Sequence, residues 1–202
     1  MHGSPLCEAV EKVISKVVAD FQRNPERFWN ERDMHWSLFY YLKHEQVCEE
    51  DYPTELIRAE FPTRKVFPGT KPARGHYDLV IINTESYNKP EVQNMKAQAP
   101  WSKYLELIKL DVAIEIKIWQ ARLNDADIHE LIDWDIRKLT EQPHNVKNAY
   151  LLNFVQLDFQ REHNETYYQQ LREYLSKQKK PGLNILCVPS DSRVQNNTAN
   201  WL

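Results

Sequence analysis

The segment DVAIEIKIW, residues 111–119, decides how this chain is read. Its apolar, largely β-branched run predicts a strand in the middle of a sheet. Glu115 and Lys117 interrupt that run two positions apart. Side chains alternate along a strand, so these two share one face while Ile114, Ile116 and Ile118 point into a core on the other. Either the pair lies on a sheet with one wet face, or both groups converge on a site at one end of the sheet. The strand is apolar on both faces before the pair, and the second reading accounts for that.

The surrounding pattern sets the fold class. Residues 6–22 repeat apolar side chains with a helical period through Val10, Val13, Ile14, Val17, Val18 and Phe21. NPERFWN breaks it, and Asn30 can then cap a second helix, ERDMHWSLFYYLKHE. TELIRAEFPTRKV reads as a strand that Pro62 places at an edge or a bulge, and GHYDLVIIN as a short buried strand. Residues 84–110 read as an insertion, polar over 84–100, with WSKYLELIK either a short helix or the run-in to the next strand. Beyond residue 119, Asn124 can cap a helix to about residue 141. NAYLLNFVQL is a strand, ETYYQQLREYLSKQ a helix and LNILCVPS a last strand. The order α, α, β, β, β, α, β, α, β predicts an α/β sandwich with helices flanking a mixed sheet. Residues 1–189 are expected to form one domain and 190–202 a tail, frayed apart from Trp201.

Bulk composition excludes several classes. A chain of 202 residues can bury a real core, roughly 70% of its unfolded surface. Its 42% hydrophobic and 11% aromatic content is that of a globular chain, not a disordered one. Only four glycines are present and none forms a Gly-rich phosphate loop, which argues against a P-loop or dinucleotide site. Cys7, Cys48 and Cys187 have neither zinc spacing nor a disulfide framework, as expected of reduced structural thiols in a cytoplasmic protein. Neither a signal peptide nor an apolar run of about 20 residues is seen, so no membrane partner is expected. The net charge of −3 counts against a nucleic-acid partner unless basic groups are segregated to one cleft.

A metal hydrolase needs converging carboxylates, because hard cations such as Mg²⁺ take oxygen donors. Asp78, at the mouth of the apolar strand GHYDLVII, is the second donor to set beside Glu115; a strand-end hydrogen bond to a nearby amide is its structural alternative. At 100° per residue, Glu31, His35, Leu38 and Leu42 share one stripe of the second helix. Glu31 is then either a partner of the metal site or an acid favouring the helix dipole. His35, one turn on, reads as a buried, satisfied histidine ahead of a ligand. Asp135 falls on the apolar stripe of Ile128, Ile132 and Leu139, and reads as an inward hydrogen-bonded or purely structural acid ahead of a metal ligand.

An acid-bearing helix, then Asp78 on a strand, then Glu115-Ile116-Lys117 on a following strand, with a helix and another strand after it, resembles the PD-(D/E)XK nuclease superfamily over roughly residues 27–156. Tyr77 stands where the family's motif has proline. The separation of Asp78 from Glu115, 37 residues, requires the insertion at the hairpin between them. The resemblance implies a restriction-endonuclease-like three-layer sandwich with a central mixed β-sheet flanked by helices. It also implies phosphodiester hydrolysis assisted by Mg²⁺ or Mn²⁺, on DNA ahead of RNA by family habit. Asp78, Glu115 and Glu31 would hold the metal, and Lys117 would sit beside the attacking water or steady charge on the phosphate. The alternative is an inactive nucleic-acid-binding or scaffold subunit of a defence or repair complex on the same fold; a homodimer or a subunit of a larger assembly are both open.

Arg64, Lys65, Lys71 and Arg74 form a basic run flanking the strand that leads to Asp78, either a phosphate-contacting edge or a solvated loop. Arg137 and Lys138 on the later helix could touch phosphate, with a solvated face as the alternative. Tyr167, Tyr168, Leu171, Tyr174 and Leu175 have helical spacing and are read as core; Trp101 and Trp119 could be core or stacking residues.

Overall fold

The computed structural model describes residues 4–44, 54–67, 73–95, 101–120, 125–141, 146–157, 164–191 and 201–202. Of residues 64–67, 73–74, 95, 101–102, 104, 125–126 and 164 only the backbone is described. Five strands form one sheet in chain order: β1 (Ile57–Phe67), β2 (Ala73–Ile82), β3 (Leu110–Gln120), β4 (Asn148–Gln156) and β5 (Leu183–Pro189). β1–β2 and β2–β3 pair antiparallel, β3–β4 and β4–β5 parallel. The sheet is therefore mixed, and β3 is the strand at which its sense changes.

Two helical layers cover the sheet. On one face lie α1 (Pro5–Arg23) and α2 (Glu31–His44). Val10, Val13, Ile14, Val17 and Phe21 of α1 and Met34, Leu38 and Leu42 of α2 pack on Ile57, Leu79, Ile81, Val112, Ile114, Ile116, Tyr150, Leu152 and Phe154. On the other face, α6 (Asp125–Thr140) and α7 (Asn164–Ser176) bring Ile128, Ile132, Ile136, Leu139, Tyr168, Leu171 and Leu175 against Val80, Ala113, Trp119, Leu151, Val155 and Cys187. Both faces of the sheet are apolar because both are covered.

The helix ends follow their caps. Ser4 accepts the Cys7 N–H at the start of α1, which opens on Pro5. Asn30 Oδ1 accepts the N–H of Arg32 at 2.9 Å and of Asp33 at 3.3 Å, fixing the start of α2. Residues 84–107 carry three short helices, α3 (Thr84–Tyr87), α4 (Pro90–Met95) and α5 (Trp101–Leu107). The polar stretch read as an insertion thus contains helical turns. Tyr87, Val92 and Leu105 anchor it to the core, and Asn83 caps its first helix by accepting the Ser86 N–H.

Pro62 sits in the edge strand β1, where its missing N–H costs no ladder bond, next to a register shift between Pro62 and Val66. The tail returns to the fold: Trp201 bridges Leu186 on β5 and packs edge-on against Tyr150. Cys7 and Cys187 are buried free thiols, and burial pushes Cys187 up to about 12; Cys48 lies outside the described residues. Among the described residues no helix is long and apolar enough to cross a membrane.

Candidate functional site

The β2–β3 ladder runs from Ile82↔Leu110 to Leu79↔Ile114 and stops there. The β1–β2 ladder pairs Ala59 with Leu79 and Phe61 with Tyr77, skipping the position between them. Asp78 is thus paired in neither ladder. Its Oδ2 instead accepts the Ile116 N–H at 2.7 Å, so a side-chain carboxylate stands in for a strand carbonyl. The strand-end hydrogen bond expected as the alternative for Asp78 is present, and it fixes Asp78 beside the backbone next to Glu115. Opposite Asp78 on β1 is Glu60, whose φ of 50° is the left-handed conformation that L residues disfavour. The sheet opens at this fork, and side chains from both helical layers reach it.

Glu115 is completely buried on the α6 side. Its Oε2 receives Lys138 Nζ at 2.6 Å, while its Oε1 meets no hydrogen-bond donor among the described residues. Lys117 Nζ lies 3.2 Å from Asp135 Oδ2 and 3.7 Å from Glu31 Oε1, joining α6 to α2 across the end of the sheet. Lys138 also lies 3.1 Å from Asp135 Oδ1. Four carboxylates, Glu31, Asp78, Glu115 and Asp135, thus share two lysines, a surplus of two negative charges when all are ionised.

That surplus shows in the titrations. Burial, followed by the charge of Asp78, holds the Glu115 carboxyl well above the usual range, against the pull of Lys138. Burial also raises Asp78, with Lys117 and the Ile116 N–H opposing. Burial raises Glu31 too, with Lys117 opposing and Asp78 adding to the rise. Burial alone would lower Lys117 and Lys138, but the carboxylates around them outweigh it and hold both above the ordinary lysine value. Both amines therefore stay charged.

The structure brings Asp78, Glu115, Lys117 and Glu31 together, with Glu31 half-exposed at the rim. Asp135 faces inward as its stripe implies, held between the two lysines. Lys138 requires a correction: it lies on neither a phosphate-contacting nor a solvated face, but is buried against Glu115 and Asp135. A run of lysine after arginine gave no sign of this, although Lys138 stands one turn from the inward Asp135. Arg137 is exposed. Lys71 lies outside the described residues, as do the side chains of Arg64, Lys65 and Arg74.

His35 is mostly buried, but not satisfied. Its Nδ1 is 3.8 Å from Glu60 Oε1, and its Nε2 is buried with no hydrogen-bond partner among the described residues. It lines a cleft of about 380 Å³ with Asn30, Glu31, Arg32, Glu60 and Asp78. Trp119 is core: its Nε1 donates to Asn153 Oδ1 at 2.9 Å, and Asn153 donates onward to the Leu186 carbonyl. The side chain of Trp101 lies outside the described residues.

Among the described residues no three His, Cys, Asp or Glu side chains are grouped as a ready-made metal cage. Mg²⁺ does not require one; it keeps several waters and takes one or two carboxylates from a protein. Asp78, Glu115 with its unmet Oε1, and the surplus negative charge fit such an ion. Compared with family models, curated proteins and solved structures, the chain gives no match.

Proposed function

We propose that this chain is a divalent-metal-dependent nuclease that hydrolyses phosphodiester bonds on a restriction-endonuclease-like fold. The observation that carries the reading is the fork between β2 and β3, where Asp78 accepts the N–H of Ile116, the residue between Glu115 and Lys117, and its charge acts on Glu115. The helix before β1, the three antiparallel strands, the helix α6 and the parallel β4 support it, since they follow the order of that fold's core.

Asp78 and Glu115 would hold Mg²⁺ or Mn²⁺, with Glu31 completing the set directly or through water. The chemistry supplied by such an ion would be Lewis-acid polarisation of the scissile phosphate and activation of water. The chain's own residues account for the rest. Lys117, kept protonated by Asp135 and Glu31, is a fixed cation facing charge that develops on the phosphate, and does not accept a proton. Asp135 aims both lysines. Burial of Glu115 excludes water from one side of the site, so charge placed there is weakly screened. DNA stands ahead of RNA as substrate only through the motif's family habit.

One observation favours a second reading, an inactive binding or scaffold subunit: Lys138 already neutralises Glu115 at 2.6 Å. Cleavage assays separate the two. Wild type should cut plasmid or single-stranded substrate with Mg²⁺ or Mn²⁺, while Asp78→Ala and Lys117→Ala should lose the activity by two or more orders of magnitude. Equal cleavage by all three would sink the nuclease reading. Failure of wild type to cut or to bind Mn²⁺ would favour the scaffold.

A further inference from the structure

Five large hydrophobic side chains are exposed among the described residues, and three of them, Trp29, Trp36 and Tyr40, belong to the entrance and outer face of α2. Their exposures are 77%, 58% and 58%. Single exposed rings are ordinary; two on one helix face with a third just before the helix are not. At 100° per residue Arg32, Trp36, Tyr40 and Lys43 share that face, with Phe39 half-buried against the core at its edge, opposite the buried Met34, Leu38 and Leu42. The face is cationic as well as aromatic. Lys43 lies 4.7 Å over the Phe39 ring. Of the acids on α2, Asp33 is turned back onto the N–H groups of Trp29 and Asn30 at 2.9 and 3.2 Å, and Glu31 lies 3.7 Å from Lys117.

The file begins beside the far end of the strand that carries Glu115 and Lys117. The Trp29 carbonyl accepts a bond from Gln120, the last residue of the strand bearing Glu115 and Lys117. Arg32 lines the cleft with Asp78. His35, in the same cleft, stacks on Trp36 with 6.2 Å between ring centres and 22° between planes. From there Trp36 and Tyr40 lead away from the site, about 6 Å apart along the helix axis.

We infer that this face is the track along which a single-stranded polynucleotide reaches the site, its bases stacked on Trp29, Trp36 and Tyr40 and its phosphates met by Arg32 and Lys43. The inference deepens the nuclease reading and rests on it for the identity of the site. Two features select the occupant. Cations of the sign that phosphate requires stand among the rings, and the file adjoins the cleft holding Asp78 through Arg32 and through His35, which stacks on Trp36. Unpaired bases are needed because paired ones keep their π faces inside the stack.

The test is binding in EDTA, where no metal-dependent cleavage occurs, using oligodeoxythymidine, oligouridine and a DNA duplex of equal length. Anisotropy of labelled oligomers and quenching of intrinsic tryptophan fluorescence give the readouts. Wild type should bind the single strands tighter than the duplex. Trp36→Ala and Tyr40→Ala should each weaken that binding by roughly 5- to 100-fold. Trp36→Phe should retain most of it, and circular dichroism should show all variants folded. Binding lost equally from Trp36→Ala and Trp36→Phe, unaltered by either, equal for duplex, or absent from wild type would overturn the inference. So would a dimer that Trp36→Ala converts to monomer, because the face would then belong to self-association. Cleavage by wild type with no such strand preference leaves the nuclease reading standing and removes the track. Single-strand binding that depends on the rings, without cleavage, does the reverse.

Discussion

At the residue scale, the fork combines a stability cost with an electrostatic purpose. Asp78 and Glu115 are both raised, chiefly by burial. A carboxyl whose folded pKa is raised keeps its proton where the unfolded chain has lost it. Stability is therefore lost as pH rises from the ordinary aspartate value, about 4, through the folded one. Asp78→Asn should thus melt higher than wild type at pH 8 and close to wild type at pH 3.5, the gap opening between; a constant difference across that range would contradict the assignment. Mn²⁺ at about 100 times its dissociation constant should stabilise wild type by about 2.7 kcal/mol and leave Asp78→Asn nearly unmoved. Lys138 is a separate case. Lys138→Met strands a fully buried Glu115 and should cost about 3 kcal/mol, much of it recovered in the Glu115→Gln, Lys138→Met double variant. Additive losses in urea melts would mean that the pair is not coupled.

At the element scale, the site depends on strands that stop pairing at the right place. Glu60, at φ 50°, marks where β1 departs from regular geometry opposite Asp78. Glycine adopts that conformation freely and a β-branched residue does not. Glu60→Gly should be neutral or stabilising by up to about 1 kcal/mol, and Glu60→Val destabilising by about 1 kcal/mol or more. The reverse order would mean that the side chain, not the backbone, governs the position. The edge position of β1, the buried run of β3 and the caps at Asn30 and Asn83 follow from local chemistry. Pro62 has no N–H to offer a central ladder, and a side-chain amide oxygen can meet a free helix N–H. The short helices α3 and α4 were not legible, because their polar residues suit a loop as well as a helix turn, while α5 realises the helical one of the two readings open for its segment. Tyr87, Val92 and Leu105 hold them down by contacts far away in sequence.

At the scale of the whole molecule, one sheet separates two cores, and the charged fork lies at the end where both helical layers come together. α1 contributes no side chain to the fork, yet Phe21 packs at 5.9 Å from Phe28 and 5.1 Å from Phe154, tying it to the turn before α2 and to β4. Phe21→Ala should cost about 4 kcal/mol and lower the melting temperature by roughly 8–16 °C. A loss under about 1 kcal/mol in thermal melts would mean that α1 is dispensable to the core.

By itself the sequence determined the class of the fold and most of its candidate site. Helical and strand periods depend on neighbours a few residues apart, and an acid or amine inside an apolar strand has few reasons to be there. Only the tertiary structure decided that Lys138 is buried on Glu115, that His35 keeps an unmet nitrogen, and that Asp78 replaces a strand carbonyl at Ile116. Each of these depends on residues more than 20 positions apart in the chain, whose separation in space no local pattern encodes.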